Sequence, residues 1–477
     1  MRLVRFTLPL LPLLAGAACG GPGSMQAGAS SATDAAGAPV DRSDPGPGTY
    51  AVRNLVSDGA VPAEHTDPNL VNAWGLDALP TTPWWVADNG TNRSTLYDAQ
   101  GVATPLVVDV PGAGAGAAPS GLAANPTNEF MITQAGTTGP AKFLFAGEDG
   151  TISAWLRTPD PISTTAVKEV DETSAGAIFK GLALTSTSAG ARLYATDFHN
   201  ATVHVYDGAF QRVPLAAGAF RDGNLPAGFA PFGVRVLQGV VVVTYAKQDA
   251  AAKDPVKAPG LGFVDAYSLD GNLLGRLASQ GKLDAPWGLA LAPAGFGAHS
   301  NRLLVGNFGD GRIVSFGLRN DGSSSGSTGG SSGSGSSSSS GSGSSGSTGS
   351  TGSTGDDHGN DHGNDNGDDH GNGSGSSHGS TGSTGDDRGN DNGNDHGNGN
   401  ADDHGNDHHD RSAQEGHLDV EDGGVLLNSA SGPITIDGLW ALSFGNGGPA
   451  GPTTTLFFTA GPNDEKNGLF GRIDVAQ

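Results

Sequence analysis

One tripeptide pattern recurs along this chain and constrains it more than any other feature. A bulky or polar residue, then Gly, then an aliphatic residue appears as Trp74-Gly75-Leu76, Ser120-Gly121-Leu122, Lys180-Gly181-Leu182, Phe232-Gly233-Val234 and Trp287-Gly288-Leu289. Trp440-Ala441-Leu442 is a sixth copy with Ala in place of Gly. The Gly positions are 46, 60, 52 and 55 residues apart. The last interval is long only because a low-complexity tract interrupts it. Each copy opens a run of short strand-like segments separated by turn residues. In the first these are Trp74–Leu79, Trp84–Ala87, Ser94–Tyr97 and Pro105–Val110, divided by Pro80-Thr81-Thr82-Pro83, Asp88-Asn89-Gly90 and Asp98-Ala99-Gln100-Gly101. Roughly four strands in each of six copies predicts an all-β fold, a six-bladed β-propeller. The Gly allows the innermost strands to approach closely at the central channel. The sixth copy is one strand short, and Tyr50–Val56 has strand composition with no repeat of its own. Pairing these N- and C-terminal strands closes the ring and leaves no open edge. The second copy is irregular. Phe130–Thr133, Lys142–Phe145 and Thr151–Leu156 admit either an extra strand or a distorted blade.

The N-terminus carries Met1-Arg2-Leu3-Val4-Arg5, an apolar run to Leu14 and small residues up to Cys19, the pattern of an export signal over residues 1–18. Cys19, the single cysteine, is followed by Gly20-Gly21-Pro22-Gly23. This resembles the lipobox of bacterial lipoproteins, although Gly16 stands where that motif usually has Leu. Lipidation of Cys19 and ordinary cleavage near Ala17 or Ala18 are the two readings. They place the protein outside the cytoplasm, as an outer-membrane or cell-surface lipoprotein or as a secreted protein. Residues 19–48 read as a flexible tether. The expected organisation continues with blades 1–5 and the closing strand over 49–320, an insert over 321–412, and the rest of blade 5 with blade 6 over 413–477.

The insert begins as Ser/Gly/Thr and becomes Asp/His/Asn/Gly. Between Asp356 and Arg411 it holds 14 Asp, 8 His and 2 Arg, about half of the formal net charge of −24. With almost no apolar side chains it cannot bury a core and is expected to be disordered. It reads either as a solvated spacer or as a weak multivalent metal sponge. The net charge argues against nucleic-acid binding and against electrostatic docking on anionic membranes. Membrane contact is expected only through the N-terminal lipid, and a monomer is expected. One cysteine excludes an internal disulfide and a Cys-based zinc site within one chain.

The turns between second and third strands fall on one face of such a fold, around the channel mouth. They supply the binding candidates Asp197, His199, Asn200, Asn463, Asp464 and Glu465. Lys247 opens a long fourth-blade loop that runs to Gly262 and can overhang the mouth. Asp88, Asn89, Asp149, Asn307 and Asp310 are weaker candidates, because Asp and Asn before Gly are also what tight hairpin turns select. Convergent oxygens and nitrogens there could take Ca²⁺ or another divalent cation, which would polarise an ester or lactone. Trp74, Trp287 and Trp440 read as inner-strand packing residues. His204, alternating with Val203 and Val205, reads as a surface or core residue and not as a ligand. No zinc-protease motif, P-loop or dinucleotide fingerprint occurs.

Four stretches carry a resemblance to a known group: Asp67-Pro68-Asn69-Leu70-Val71-Asn72-Ala73-Trp74-Gly75, Leu193–Asn200, Leu303–Gly311 and Leu456–Glu465. They resemble an uncharacterised bacterial family of six-bladed propellers, similar in plan to NHL-repeat and gluconolactonase-type propellers, over about Tyr50–Leu318 and His417–Ile473. The resemblance implies the fold and no established activity. Gluconolactonase-type propellers hold a divalent metal at the channel mouth, but their ligands do not map onto this sequence residue by residue. The expected functions are a cell-envelope or extracellular binding scaffold with its ligand or protein partner at the mouth, or a metal-dependent lactonase- or esterase-like hydrolase.

Overall fold

The computed structural model describes residues 48–114, 116–159, 161–318 and 420–476. The export signal, Cys19, the tether as far as residue 47 and the insert over 321–412 lie outside the described residues. Among those described, no helix is long and apolar enough to cross a membrane.

Among the described residues six sheets form the blades, one per repeat, with the successive strands of each blade antiparallel. Their inner strands are Ala73–Asp77, Pro119–Ala124, Phe179–Thr187, Phe229–Leu237, Pro286–Leu291 and Leu439–Phe444. Each packs against the next around the ring, and the sixth packs against the first. The architecture is the expected six-bladed propeller. Thr49–Ser57 pairs antiparallel with Leu469–Val475, with Tyr50 opposite Val475 and Ser57 opposite Leu469, so the closing strand sits where it was placed. Tyr50 fixes it further, donating its hydroxyl to the Phe296 carbonyl oxygen at 2.9 Å.

Three details differ from the regular four-strand plan. Blade 3 has three strands, Phe179–Thr187, Gly190–Asp197 and Thr202–Asp207. Beyond them only the bridge between Tyr206 and Arg212 continues the sheet. In blade 1 the outer strand shrinks to Val108–Asp109. In the second repeat the irregularity is a separate hairpin, Met131–Gln134 with Thr137–Pro140, beside a complete four-stranded blade.

The tripeptide has a specific mechanical role. In all six blades the register between inner and second strand shifts at this step, for example between Pro231 and Val234 and between Leu439 and Leu442. The bulge frees a backbone N–H, which in three blades a threonine of the second strand accepts: Gly181 to Thr196 at 2.7 Å, Gly233 to Thr244 at 2.8 Å, Ala441 to Thr459 at 3.1 Å. Thr196 and Thr459 then donate onward to the Phe232 and Trp74 carbonyl oxygens of the following blade. Blades are thus clasped side to side where the Gly brings them close. A Cβ on Gly233 would collide with the Trp287 carbonyl oxygen, and one on Gly288 would lie 2.5 Å from that of Trp440.

Candidate functional site

The residue before each Gly occupies the same level of the channel in every blade. At that level stand Trp74, Ser120, Lys180, Phe232, Trp287 and Trp440. The aromatic members meet across the axis. Trp74 stacks on Trp440 with ring centroids 3.5 Å apart, and Trp287 sets its edge against both. Phe232 packs on Trp440 from blade 4, and Phe308, from a second-to-third-strand turn, stacks on it at 4.0 Å. These tryptophans therefore do more than pad an inner strand: they plug the channel.

Lys180 breaks the aromatic series. Its side chain is 0% exposed, with Nζ 5.0 Å from the Trp74 ring centroid. Nζ donates to Glu148 Oε1 at 2.5 Å and to Asp254 Oδ1 at 3.2 Å. From Glu148 the polar contacts continue. Asn89 Nδ2 donates to Glu148 Oε2 at 2.9 Å, Asn72 Nδ2 donates to Asn89 Oδ1 at 3.1 Å and to Glu465 Oε2 at 3.0 Å, and Trp440 Nε1 donates to Asn72 Oδ1 at 3.2 Å. The result is an arc, Glu465–Asn72–Asn89–Glu148–Lys180–Asp254, drawn from blades 6, 1, 2, 3 and 4 at the end of the channel that the second-to-third-strand turns surround. The fourth-blade loop between Lys247 and Gly262 closes over it. It contributes Asp254, places Lys257 Nζ 4.2 Å over the Phe308 ring, and is tied down by Gln248 Nε2 donating to the Phe198 carbonyl oxygen at 2.5 Å.

The arc sets its own charge states. Burial alone would raise the Glu148 carboxyl, but Lys180 and Asn89 outweigh it and hold Glu148 below its ordinary range. Burial alone would lower Lys180, but Glu148 and Asp254 outweigh it and hold the ammonium above its ordinary range. Glu465 is pushed up by burial, which the Asn72 hydrogen bond and Lys180 only partly offset. Glu465 reaches the arc through an unusual backbone: Asn463, Asp464 and Glu465 all have φ near +60°, at 59°, 54° and 63°. Three consecutive left-handed residues without Gly are costly, roughly 1–2 kcal/mol each. Such strain marks sites the surroundings over-determine.

Of the residues singled out from sequence, the arc takes in Asn89 and Glu465. Asn463 and Asp464 shape the turn and are exposed. Asp197 is buried in blade 3, accepting from His204 Nε2 at 3.2 Å, Asn200 Nδ2 at 2.8 Å and the Ile178 N–H at 3.1 Å. Burial opposes its ionisation, and these bonds overcome it, holding its carboxyl below the ordinary range. His204 is buried too, with Nδ1 3.2 Å from the Tyr206 hydroxyl. His199 is exposed, and Asn200 also donates to the Ala175 carbonyl oxygen. Lys247 donates to the Ala227 carbonyl oxygen within its own blade. Asp149 accepts from the Ala113 N–H and from Thr151, and Asn307 donates to Asp310 and to the Lys282 carbonyl oxygen. Asp88 is wholly buried, and burial pushes its carboxyl well above the ordinary range. Among the described residues no three His, Cys, Asp or Glu side chains come together as a metal-ligand group. Asn72, Glu148, Lys180 and Asp254 were not among the sequence candidates. The legible signal was Lys180 itself, a cation at a repeat position otherwise filled by Trp, Phe or Ser.

No family model matches the chain. It is 31% identical over 274 residues to an uncharacterised protein of Acanthamoeba polyphaga mimivirus, covering 56% of this chain and 67% of that protein. A second uncharacterised mimivirus protein is 30% identical over 272 residues, covering 56% of this chain and 71% of that protein. Both relatives are viral, and neither supports the bacterial membership that the sequence resemblance implied. Among solved structures, the chain is similar to a catalytically inactive virginiamycin B lyase from Staphylococcus aureus with quinupristin, at 13% identity and a TM-score of 0.34, over 52% of this chain and 67% of that one. At that score the likeness carries no argument about activity.

Proposed function

We infer function from the premise that this chain belongs to the same family as the two uncharacterised mimivirus proteins. Our reading is a binding propeller that takes a polar ligand, one bearing hydroxyl or ammonium groups, at the channel mouth. One observation carries it: the arc gathers three carboxylates, two amides and an ammonium group from five blades onto one end of the axis. Alternating donors and acceptors on rigid elements suit a hydroxyl-bearing ligand, since each hydroxyl both donates and accepts. The surplus of carboxylate over ammonium favours positive charge. Export and anchoring through a lipid on Cys19 belong to the same proposal and would present the mouth outside the cell.

Thermal shift with glucose, N-acetylglucosamine and putrescine tests the reading. A binder at about a hundred times its Kd stabilises the native state by roughly 2.7 kcal/mol. At least one probe should raise the melting temperature of the wild type and not of Glu148→Gln or Asn72→Ala. No shift, or the same shift in both variants, overturns it.

The hydrolase reading has one observation in its favour: Glu465 is a carboxyl held above its ordinary range, as a general acid needs. Its nearest counterpart in the arc, Glu148, is held low by Lys180 and makes a poor base. Lactone or ester hydrolysis lost in Glu465→Gln would favour this reading instead.

A further inference from the structure

Below the aromatic plug the channel is not filled. A cavity of about 150 Å³ lies there. Every blade contributes at least one aliphatic side chain to its wall, Leu76, Leu122, Leu182, Val234, Leu289 and Leu442 among them, and the rest of the lining is partly polar. Trp287, part of the plug, closes the inner end. The outer end lies on the face opposite the arc, where Asp77 and Arg235 line the cavity and are half-buried.

Arg235 crosses this end from blade 4 to blade 6. Its Nη2 donates to Ser443 Oγ at 3.0 Å and Nη1 to the Leu442 carbonyl oxygen at 3.5 Å. Asp77 shares the end and feels the guanidinium through space. Yet its carboxylate oxygens accept from the Ala78 and Ala124 N–H groups, each at 2.9 Å. Among the described residues Arg235 therefore has no ion-pair partner. A half-buried guanidinium whose hydrogen bonds go only to neutral groups, facing a cavity, has N–H capacity left for a planar anion, which it can grip with two parallel hydrogen bonds even with the Asp77 carboxyl nearby.

We propose that this cavity is a second ligand site, for a small carboxylate with a compact apolar body, its carboxylate on Arg235 and its body against the aliphatic ring. The volume sets the size. A volume of about 150 Å³ accommodates a body the size of benzene, roughly six non-hydrogen atoms. Longer chains meet Trp287. Burial holds Asp77 above its ordinary carboxyl range, against the pull of Arg235 and of the Ala78 and Ala124 N–H groups. The site is independent of the mouth, because the tryptophan layer separates the two.

The test is calorimetric titration of the full chain with 3-methylbutanoate, 3-methylbutan-1-ol and acetate. The first should bind. The alcohol has the same body without the charge and should bind at least roughly tenfold more weakly, the difference expected for charge-assisted hydrogen bonds. Acetate, charged but without the body, should also be weaker. Arg235→Gln should remove the preference for carboxylate over alcohol, and Leu182→Phe should exclude both by filling the space. Glu148→Gln at the mouth should leave all three titrations unchanged, so failure here and failure of the mouth reading are separable. Equal binding of acid and alcohol by the wild type, or no binding of the acid, overturns the proposal without recourse to any variant.

Discussion

Lys180 puts an ammonium group on the channel axis with no exposure to solvent, between a carboxylate that is mostly buried and one that is mostly exposed. Its energetic weight should lie with Glu148. Removing one member of a buried ion pair leaves an uncompensated charge and typically costs about 3–5 kcal/mol, whereas an exposed pair contributes about 0–1 kcal/mol. Lys180→Met is therefore expected to destabilise by about 3 kcal/mol or more, and adding Glu148→Gln should restore part of that loss, read from urea midpoints. The pH dependence has a defined sign. Glu148 titrates below its unfolded value of 4.5 when folded. Below that value the unfolded chain binds the extra proton, so the pair's contribution is complete above 4.5 and is lost as pH falls through the folded pKa. Lys180→Met should flatten this acid slope. An unchanged slope would mean that Lys180 is not what holds Glu148 low. Lys180 stands out as a cation at a repeat position otherwise filled by Trp, Phe or Ser, but its pairing with Glu148 joins two blades and leaves no local signal; most polar turn residues spend their hydrogen bonds locally. Asp197 is the example, saturated by Asn200, Ile178 and His204. Glu465 was readable, since a turn does not require three consecutive polar residues of that kind.

The inner strand was legible for the opposite reason: its demand is steric and repeats. Each copy needs a residue small enough to pass the carbonyl of the next blade, and Gly or Ala appears at that position in all six. Gly233→Ala is expected to force apart blades 4 and 5 and strain the Thr244 clasp. Overpacking of this kind costs roughly 1–3 kcal/mol, a fall in melting temperature of about 2–4 °C per kcal/mol for a domain of a few hundred residues. Ala441→Gly, where a Cβ is already accommodated, should cost less than about 1 kcal/mol. Equal effects at the two positions would show that close approach is not what the Gly serves. Of the hairpin after Phe130, the first strand was legible as an extra strand, and the return strand Thr137–Pro140 was not, because its two-residue turn is Ala135-Gly136. Both residues have positive φ, 48° and 78°, a conformation usually announced by Asn or Asp before the Gly. The missing outer strand of blade 3 left no local trace, since whether a segment pairs at a blade's edge depends on its neighbours more than on its own alternation.

At the scale of the molecule, closure and interruption are separate matters. The ring is completed by Thr49–Ser57 on Leu469–Val475, within blade 6. The interruption falls in blade 5, between Ile313–Leu318 and Val420–Val425, at the end of the blade away from the arc. Leu318 and Val420 are register partners in that pair of strands. A gap that a tight turn could span is thus closed by about a hundred residues, whose closure entropy grows only as the logarithm of length. Deleting Gly322–Ser412 leaves about ten residues to make the connection, and on the same relation lowers the closure cost by about 2 kcal/mol. The deletion removes neither an arc residue nor any cavity-lining residue, and the segment has almost no apolar side chains to withdraw from a core. The expected outcome is a folded protein whose melting temperature is unchanged or a few degrees higher, with both ligand titrations preserved. A fall of about 10 °C corresponds to several kcal/mol and would mean that the acidic, histidine-rich segment packs against the propeller and is part of what stabilises it.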